Sequence, residues 1–271
     1  MSGVFRVRDK VFQSGTHIMG ILNATPDSFY PASRTANGDP VERALKMIED
    51  GAEIIDVGGQ STRPGGSPVS VLEELSRVLP VVESIRAASD CLISVDTFYP
   101  EVAEEVLRAG ADMINDVSCL KYKGLAETVA AYDAAICIMH NRRESSVADL
   151  MADKQSGLAF AAMKAVKAGV LPDRIILDGG IGFNKSKDED WTLLNRYDEL
   201  DLAGYPLLLG TSRKSMFGGE VQDRLTATME SSALAARKGI LFVRVHDVRE
   251  NKLAIDAVLK LSLIHISEPT R

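Results

Sequence analysis

Polar residues recur where apolar stretches end: Asn23, Asp96, Asn115, Asp178, Arg244 and His246. Segments that follow such stretches add Thr62 and Arg63, then Ser212, Arg213 and Lys214. Two carboxylates and an amide suit a flat, nitrogen-rich heterocycle with amidine-like edges. A carboxylate pairs bidentately with an N–H/NH2 edge, and Asn covers a mixed edge. Arg63, Arg244 and His246 form a cationic group fit for a phosphate or pyrophosphate. Asn23 offers a hard oxygen, and Mg2+ commonly takes few protein ligands beside phosphate oxygens and waters. Each residue also has a plainer use. A lone Asp after a strand caps a helix, Asn115 serves a turn, His246 sits satisfied in a core, and Ser212-Arg213-Lys214 is a solvated basic turn. The chemical reading requires all of them to meet on one surface.

Several chemistries lack their residues. There is no HExxH, cysteine cluster or zinc spacing. No GxGxxG opens a helix, no Walker P-loop is present, and the absence of GxSxG argues against a serine nucleophile.

The elements that must position these groups alternate. His17–Asn23 is a near-continuous apolar run through Ile18, Met19, Ile21 and Leu22, as in a parallel strand covered on both faces. Pro26 and Asp27-Ser28 turn it into a loop that lasts to Asn37-Gly38. Asp39 then caps a helix with Pro40 at its first position. Glu53–Gly59 is a second strand, its loop is rich in Pro and Gly, and Ser70 with Glu73 predicts a capping box. Further strands are expected at 92–97, 113–118, 135–140, 175–180, 206–212 and 241–247. Helices are expected after them at 100–110, 122–131, 153–169, 188–203, 222–238 and 249–260. Eight strand–helix alternations predict an α/β protein, a single-domain (β/α)8 TIM barrel, with a doubly wound open sheet as the competitor. The barrel is preferred because polar residues end nearly every strand, and a barrel's active site lies there. Residues 1–16 read as an N-terminal hairpin or cap. The stretch 261–271 follows a helix that already looks complete. It resembles the in-frame translation of a transposase-based sequencing adapter, and is read as a non-native tail.

Composition fits this picture. The chain has 271 residues, 45% hydrophobic and 25% charged, enough for a sizeable core. A net charge of −7 argues against broad binding to nucleic acid or anionic membrane, so any phosphate site is local. Cys91, Cys119 and Cys137 read as reduced core thiols of a cytosolic protein. The opening Met1-Ser-Gly-Val-Phe-Arg has no signal-peptide h-region. No uncharged apolar run reaches the ~20 residues of a membrane helix.

Taken in order, Met19–Phe29, Gly58-Gly59-Gln60-Ser61-Thr62-Arg63-Pro64-Gly65, Leu177-Asp178-Gly179-Gly180-Ile181-Gly182-Phe183, Ser212-Arg213-Lys214-Ser215 and Arg244-Val245-His246-Asp247-Val248 resemble dihydropteroate synthase. The resemblance covers residues 17 to about 260, so that 17–260 is read as a pterin-binding (β/α)8 barrel. It implies condensation of 6-hydroxymethyl-7,8-dihydropterin pyrophosphate with p-aminobenzoate in folate biosynthesis, giving 7,8-dihydropteroate and pyrophosphate. It implies that Asp96, Asn115, Asp178, Lys214 and Arg244 hold the pterin. Arg63, Arg244, His246 and Thr62 take the pyrophosphate, and Asn23 binds Mg2+. Thr62, Pro64, Phe29, Phe183 and Ser212 form the p-aminobenzoate pocket, which is also where sulfonamides bind. Asp96, Lys214 and Arg63 carry the catalytic roles. The implied reaction is Mg-assisted and SN1-like, with a pterin carbocation stabilised by Asp96 and the loops 24–38 and 60–69 excluding water. A cytoplasmic homodimer, joined through the last helices around Ala227, Met229, Ala233, Leu234 and Ala235, is also implied.

Three positions depart from the family pattern. Gln60 replaces the usual Glu and removes a loop charge. Gly179 replaces the usual Pro, so a looser turn is expected there. Asn141-Arg142-Arg143 makes one loop unusually basic. Two other readings stay open. One is a pterin-binding methyltransferase of the same fold, which would not need the Thr62–Gly65 loop or the Ser212-Arg213-Lys214 turn. The other is a non-catalytic pterin-binding protein.

Overall fold

The computed structural model describes residues 3–24, 39–60, 69–141, 149–200 and 204–267. Phe29, Thr62, Arg63, Pro64 and the basic pair Arg142-Arg143 lie outside the described residues. Eight parallel strands close into a barrel: β3 (His17–Asn23), β4 (Ile54–Gly58), β5 (Leu92–Asp96), β6 (Met113–Asp116), β7 (Ala135–Met139), β8 (Ile175–Asp178), β9 (Leu207–Leu209) and β10 (Phe242–Val245). The last strand pairs with the first, Phe242 opposite His17 and Val245 opposite Gly20. The TIM-barrel expectation is met, and the open sheet is excluded by that closure.

Alternation along the strands separates two cores. Residues such as Ile18, Leu22, Ile55, Val57, Ile93, Val95 and Ile114 face outward into the helix layer. Met19, Ile54, Leu92, Met113, Cys137, Ile176, Leu208 and Phe242 face inward and fill the barrel's lower end. That end is plugged by an antiparallel hairpin, β1 (Phe5–Val7) and β2 (Lys10–Phe12). Phe242 meets Phe5 edge-on at 5.9 Å between ring centres and Phe12 at 4.9 Å. Glu53 ties plug to barrel, 2.7 Å from Lys10 and 2.5 Å from His17. The same inward face, two residues further along each strand, carries Asp56, Ser94, Asn115, Asp178 and Arg244, and four residues beyond Leu92 it carries Asp96. The polar set therefore gathers at the upper end of the barrel.

The helices are α1 (Pro40–Glu49), α2 (Val71–Ala88), α3 (Pro100–Arg108), α4 (Leu125–Ala131), α5 (Leu150–Lys167), α6 (Lys187–Asn195), α7 (Leu225–Arg237) and α8 (Val248–Ser267). Asp39 caps α1 through the Val41 N–H, with Pro40 at the first position, as the sequence suggests. Ser70 caps α2, but Glu73 turns its carboxylate to Arg77, one turn ahead, instead of back to the cap. The reciprocal capping box forms at Ser186 and Glu189. The helix expected at 188–203 breaks at Arg196 into a short 3-10 turn, Tyr197–Leu200. The last helix runs past the expected end at 260 to Ser267, since no Gly or Pro interrupts it before Pro269. Among the described residues no helix is long and apolar enough to cross a membrane.

Candidate active site

The centre of the upper barrel is an ion network built from strand residues alone. Arg244 rises from β10 and donates from Nε to Asp56 Oδ2 at 2.6 Å and from Nη2 to Asp96 Oδ2 at 2.8 Å. Asn115 on β6 donates to the same Asp56 oxygen at 3.1 Å. Asp56, Asp96 and Asn115 are buried, and register sets Asp96 beside Gly58 and Asn115. Burial raises the Asp96 carboxyl above the usual carboxylate range; Arg244 opposes that shift, and Asp56 and Glu74 reinforce it. Burial also works against the Arg244 charge, but Asp56 and Asp96 outweigh it and hold the guanidinium above its ordinary value. Two buried acceptors, Asp56 Oδ1 and Asp96 Oδ1, have no hydrogen-bond partner among the described residues. Unmet acceptors of this kind are costly, and a ligand with N–H edges removes the cost.

Asp178 ends β8 on the opposite wall. Its Oδ1 accepts from the Gly180 N–H at 2.7 Å and lies 2.9 Å from the Tyr197 hydroxyl. Burial raises this carboxyl too, against the Gly180 N–H and Lys214. Lys214 follows β9, donates to the Ile181 carbonyl at 2.8 Å and sits 4.2 Å above the centre of the Phe183 ring. Burial pushes its ammonium down to about 8, with Asp178 pulling the other way. Gly182 makes room for it: a Cβ there would stand 2.7 Å from Lys214 Cδ, and φ is +78°.

At the β9 and β10 ends, Ser212 Oγ lies 2.8 Å from His246 Nδ1 and accepts the His246 backbone N–H at 3.1 Å. Arg213 turns away and grips Asp247 with two bonds of 2.8 and 2.6 Å. Of the Ser212-Arg213-Lys214 turn, the middle residue is thus a structural clasp. Asn23 is exposed at the end of β3, and its strand neighbour Gly58 is itself the neighbour of Asp96.

Of the residues singled out in the sequence, Asn23, Asp96, Asn115, Asp178, Phe183, Ser212, Lys214, Arg244 and His246 lie on or just beyond the carboxyl ends of the barrel strands. Asp56 and Tyr197 were missed. Asp56 hides inside Ile54-Ile55-Asp56-Val57, but strict alternation back from Gly58 puts it on the inward face. Glu74 on α2 was missed as well. Burial raises its carboxyl to about 7, and the Gln60 amide donates to it at 2.6 Å. A glutamate at position 60 would set a second carboxylate against Glu74, and the Gln60 amide makes a hydrogen bond there instead.

Fold and site together define a (β/α)8 barrel with a buried polar cluster at the carboxyl ends of its strands, where a barrel enzyme places its active site. Residues 19–246 match the family model described as pterin binding enzyme. A dihydropteroate synthase of Clostridium beijerinckii is 42% identical over 258 residues, 92% of this chain and 96% of that protein. The Burkholderia cenocepacia dihydropteroate synthase complexed with 7,8-dihydropteroate superposes with a TM-score of 0.90 at 33% identity, over 98% of this chain and 99% of the other. The Yersinia pestis enzyme in complex with a sulfonamide drug gives 0.88 at 34% identity, over 96% and 99%. The chain belongs to the pterin binding enzyme family, and within it to the dihydropteroate synthases. Its activity is the transfer of a pterin group to p-aminobenzoate in folate biosynthesis, as the motifs led us to expect.

Proposed function

We propose that the upper barrel condenses 6-hydroxymethyl-7,8-dihydropterin pyrophosphate with p-aminobenzoate, with Asp96, Asn115, Asp178, Lys214 and Arg244 holding the pterin. The observation that carries this assignment is the buried Asp96 Oδ1 beside Asn115 and Arg244, an acceptor without a partner among the described residues. Asp178 on the far wall supplies the second acceptor, and Lys214 donates to the ring carbonyl. Arg63, Thr62, His246 and Arg244 take the pyrophosphate. Phe29, Thr62, Pro64, Phe183 and Ser212 line the p-aminobenzoate pocket, where a sulfonamide would compete.

The reaction follows from these residue types. The methylene C–O bond breaks and its electron pair leaves with pyrophosphate, drawn by the cationic rim. The pterin cation is stabilised by its own ring and by the Asp96 carboxylate. The arylamine lone pair then forms the C–N bond and a proton is released. No protein nucleophile takes part. Asn23 fits a Mg2+ ion by the chemistry of its donor: one exposed amide oxygen beside the anion rim leaves the remaining positions to phosphate oxygens and water. A bound Mg2+ supplies positive charge to the leaving group. The protein works in the cytoplasm as a homodimer. Its three cysteines are free, which a reducing compartment maintains, and α8 leaves Leu253 61% exposed for a partner. Leu234 and Ala235 pack on this chain's own barrel core.

Pyrophosphate release with pure substrates tests the reading. It should require both p-aminobenzoate and Mg2+, and Asp96→Ala should nearly abolish it. No release with pure substrates, or near-normal turnover in Asp96→Ala, contradicts the assignment.

A further inference from the structure

Tyr197 is a buried phenol with no part in the reaction as described. It is 1% exposed, on the 3-10 turn that follows α6. Its hydroxyl stands at a crossing of three partners. It accepts the Gly179 backbone N–H at 2.8 Å and lies 2.6 Å from the Leu208 carbonyl and 2.9 Å from Asp178 Oδ1. A phenol has one proton and so shares it between the carbonyl and the carboxylate. With the Gly180 N–H already on the same oxygen, Oδ1 is fixed against the wall. The other carboxylate oxygen, Oδ2, is then turned toward Gly210, which has no side chain to cover it.

Gly179 is what admits the phenol. A Cβ at this position would lie 2.7 Å from Leu200 Cδ1 and 3.0 Å from Tyr197 Cε2. Proline there would also remove the N–H that Tyr197 accepts. The turn after Asp178 is therefore not loosened by its glycine, contrary to the sequence expectation. A tyrosine hydroxyl reaching in from the 3-10 turn bridges it to the neighbouring strand β9.

We propose that Tyr197 is a positioning residue for Asp178: through the Gly179 turn it holds Oδ1 against the wall and presents Oδ2 to the pterin. The inference rests on Asp178 being a pterin ligand. Tyr197 touches neither substrate nor reacting atoms, and its effect is confined to pterin recognition.

A double-mutant cycle tests this. Tyr197→Phe keeps the ring and removes the hydroxyl with its three contacts, the one to the charged Asp178 among them, so KM for the pterin pyrophosphate should rise about tenfold. KM for p-aminobenzoate should stay within twofold. In an Asp178→Asn background, Tyr197→Phe should change pterin KM by less than twofold, because the partner through which it acts is gone. Equal loss in both backgrounds, or a parallel rise of both KM values, overturns the proposal and makes Tyr197 a general structural residue. If Asp178→Asn alone leaves pterin KM unchanged, the ligand assignment itself is wrong, and the proposal falls with it. If the Phe variant does not fold, Gly179→Ala serves instead. It keeps the hydroxyl but displaces the ring, and should raise pterin KM selectively; wild-type KM values there overturn the proposal.

Discussion

Replacing Asp56 by Asn is the sharpest test of the ion network, since it changes one charge and almost no volume. Both bonds to Asp56 fall on Oδ2: Arg244 Nε at 2.6 Å and Asn115 Nδ2 at 3.1 Å. An amide oxygen can occupy that place, but the charge assistance is lost, which costs about 1.5–3 kcal/mol. The amide nitrogen then falls where Oδ1 was, a buried position with no hydrogen-bond partner among the described residues. An unmet donor there adds about 1–3 kcal/mol. Against this stands the removed desolvation cost of a buried carboxylate. Arg244 also keeps Asp96 at 2.8 Å, so the full penalty of an orphaned charge does not arise. The net expectation is about 2–3 kcal/mol of stability, measured as a lower urea midpoint at unchanged slope. In the proposed function Arg244 lies against the pterin and this bond holds it there, so kcat/KM for the pterin substrate should fall about 30- to 150-fold. Asp56→Asn within 0.5 kcal/mol (roughly the surface-substitution range) and near wild-type turnover would show that Arg244 is placed by Asp96 alone.

Three further outcomes are expected. Burial disfavours the Glu53 charge, but His17 and Lys10 hold its carboxyl down to about 2. A depressed acid stabilises above its unfolded value and loses that stability as pH falls through the folded one. Glu53→Gln should therefore cost about 1–2 kcal/mol at pH 7 after allowance for solvent screening, with the gap to wild type closing by about pH 2; a gap constant with pH contradicts this. Lys214, pushed down to about 8 by burial, is charged below that pH and loses its proton above it. Pterin affinity by calorimetry should thus weaken between about pH 7 and 9, and a flat profile in that range, or one unchanged in Lys214→Met, removes Lys214 from the site. Ser212→Ala strips the Nδ1 partner from His246. It should weaken the pyrophosphate-bearing substrate about three- to tenfold while sparing free pterin, and equal losses for both would assign Ser212 to the pterin pocket instead.

The barrel was legible because a parallel strand covered on both faces is written as an apolar run, and nearly all of the eight such runs end in a polar residue. The same rule concealed Asp56. One carboxylate inside Ile54-Ile55-Asp56-Val57 does not break a strand, and only its partner Arg244, 188 residues away, explains its presence. Tyr197 was illegible for a related reason. Its hydroxyl acts on Asp178, but the link runs through a 3-10 turn where a continuous helix was expected. The helix periodicity had no way to announce that break. Capping was read correctly where one side chain decides it, at Asp39. It was misread where two compete, since Glu73 had Arg77 within reach at i+4.

Among the described residues the upper barrel is short of donors, and in the proposed function that shortage is what selects the ligand. Asp56, Asp96 and Asp178 bring three carboxylates into a space served by Arg244, Asn115 and Lys214, and two of their oxygens, Asp56 Oδ1 and Asp96 Oδ1, have no partner among the described residues. A protein evolved only to be stable would have replaced such a set with apolar residues, since buried ion pairs rarely repay their desolvation. Here the stability lies in the Phe-lined lower plug and the apolar helix layer, which leaves the upper end free to remain incomplete. A ligand is selected by what completes it. In the proposed function an N–H/NH2 edge opposite Asp96 satisfies an acceptor that has no partner among the described residues. An analogue lacking one such donor leaves that acceptor bare, so it should lose more affinity than its missing contact area would suggest. Titrating pterin analogues that lack the 2-amino group against wild type and Asp96→Asn separates the two causes. The penalty for the missing donor should shrink in the variant if the bare carboxylate is its source, and persist if contact area is.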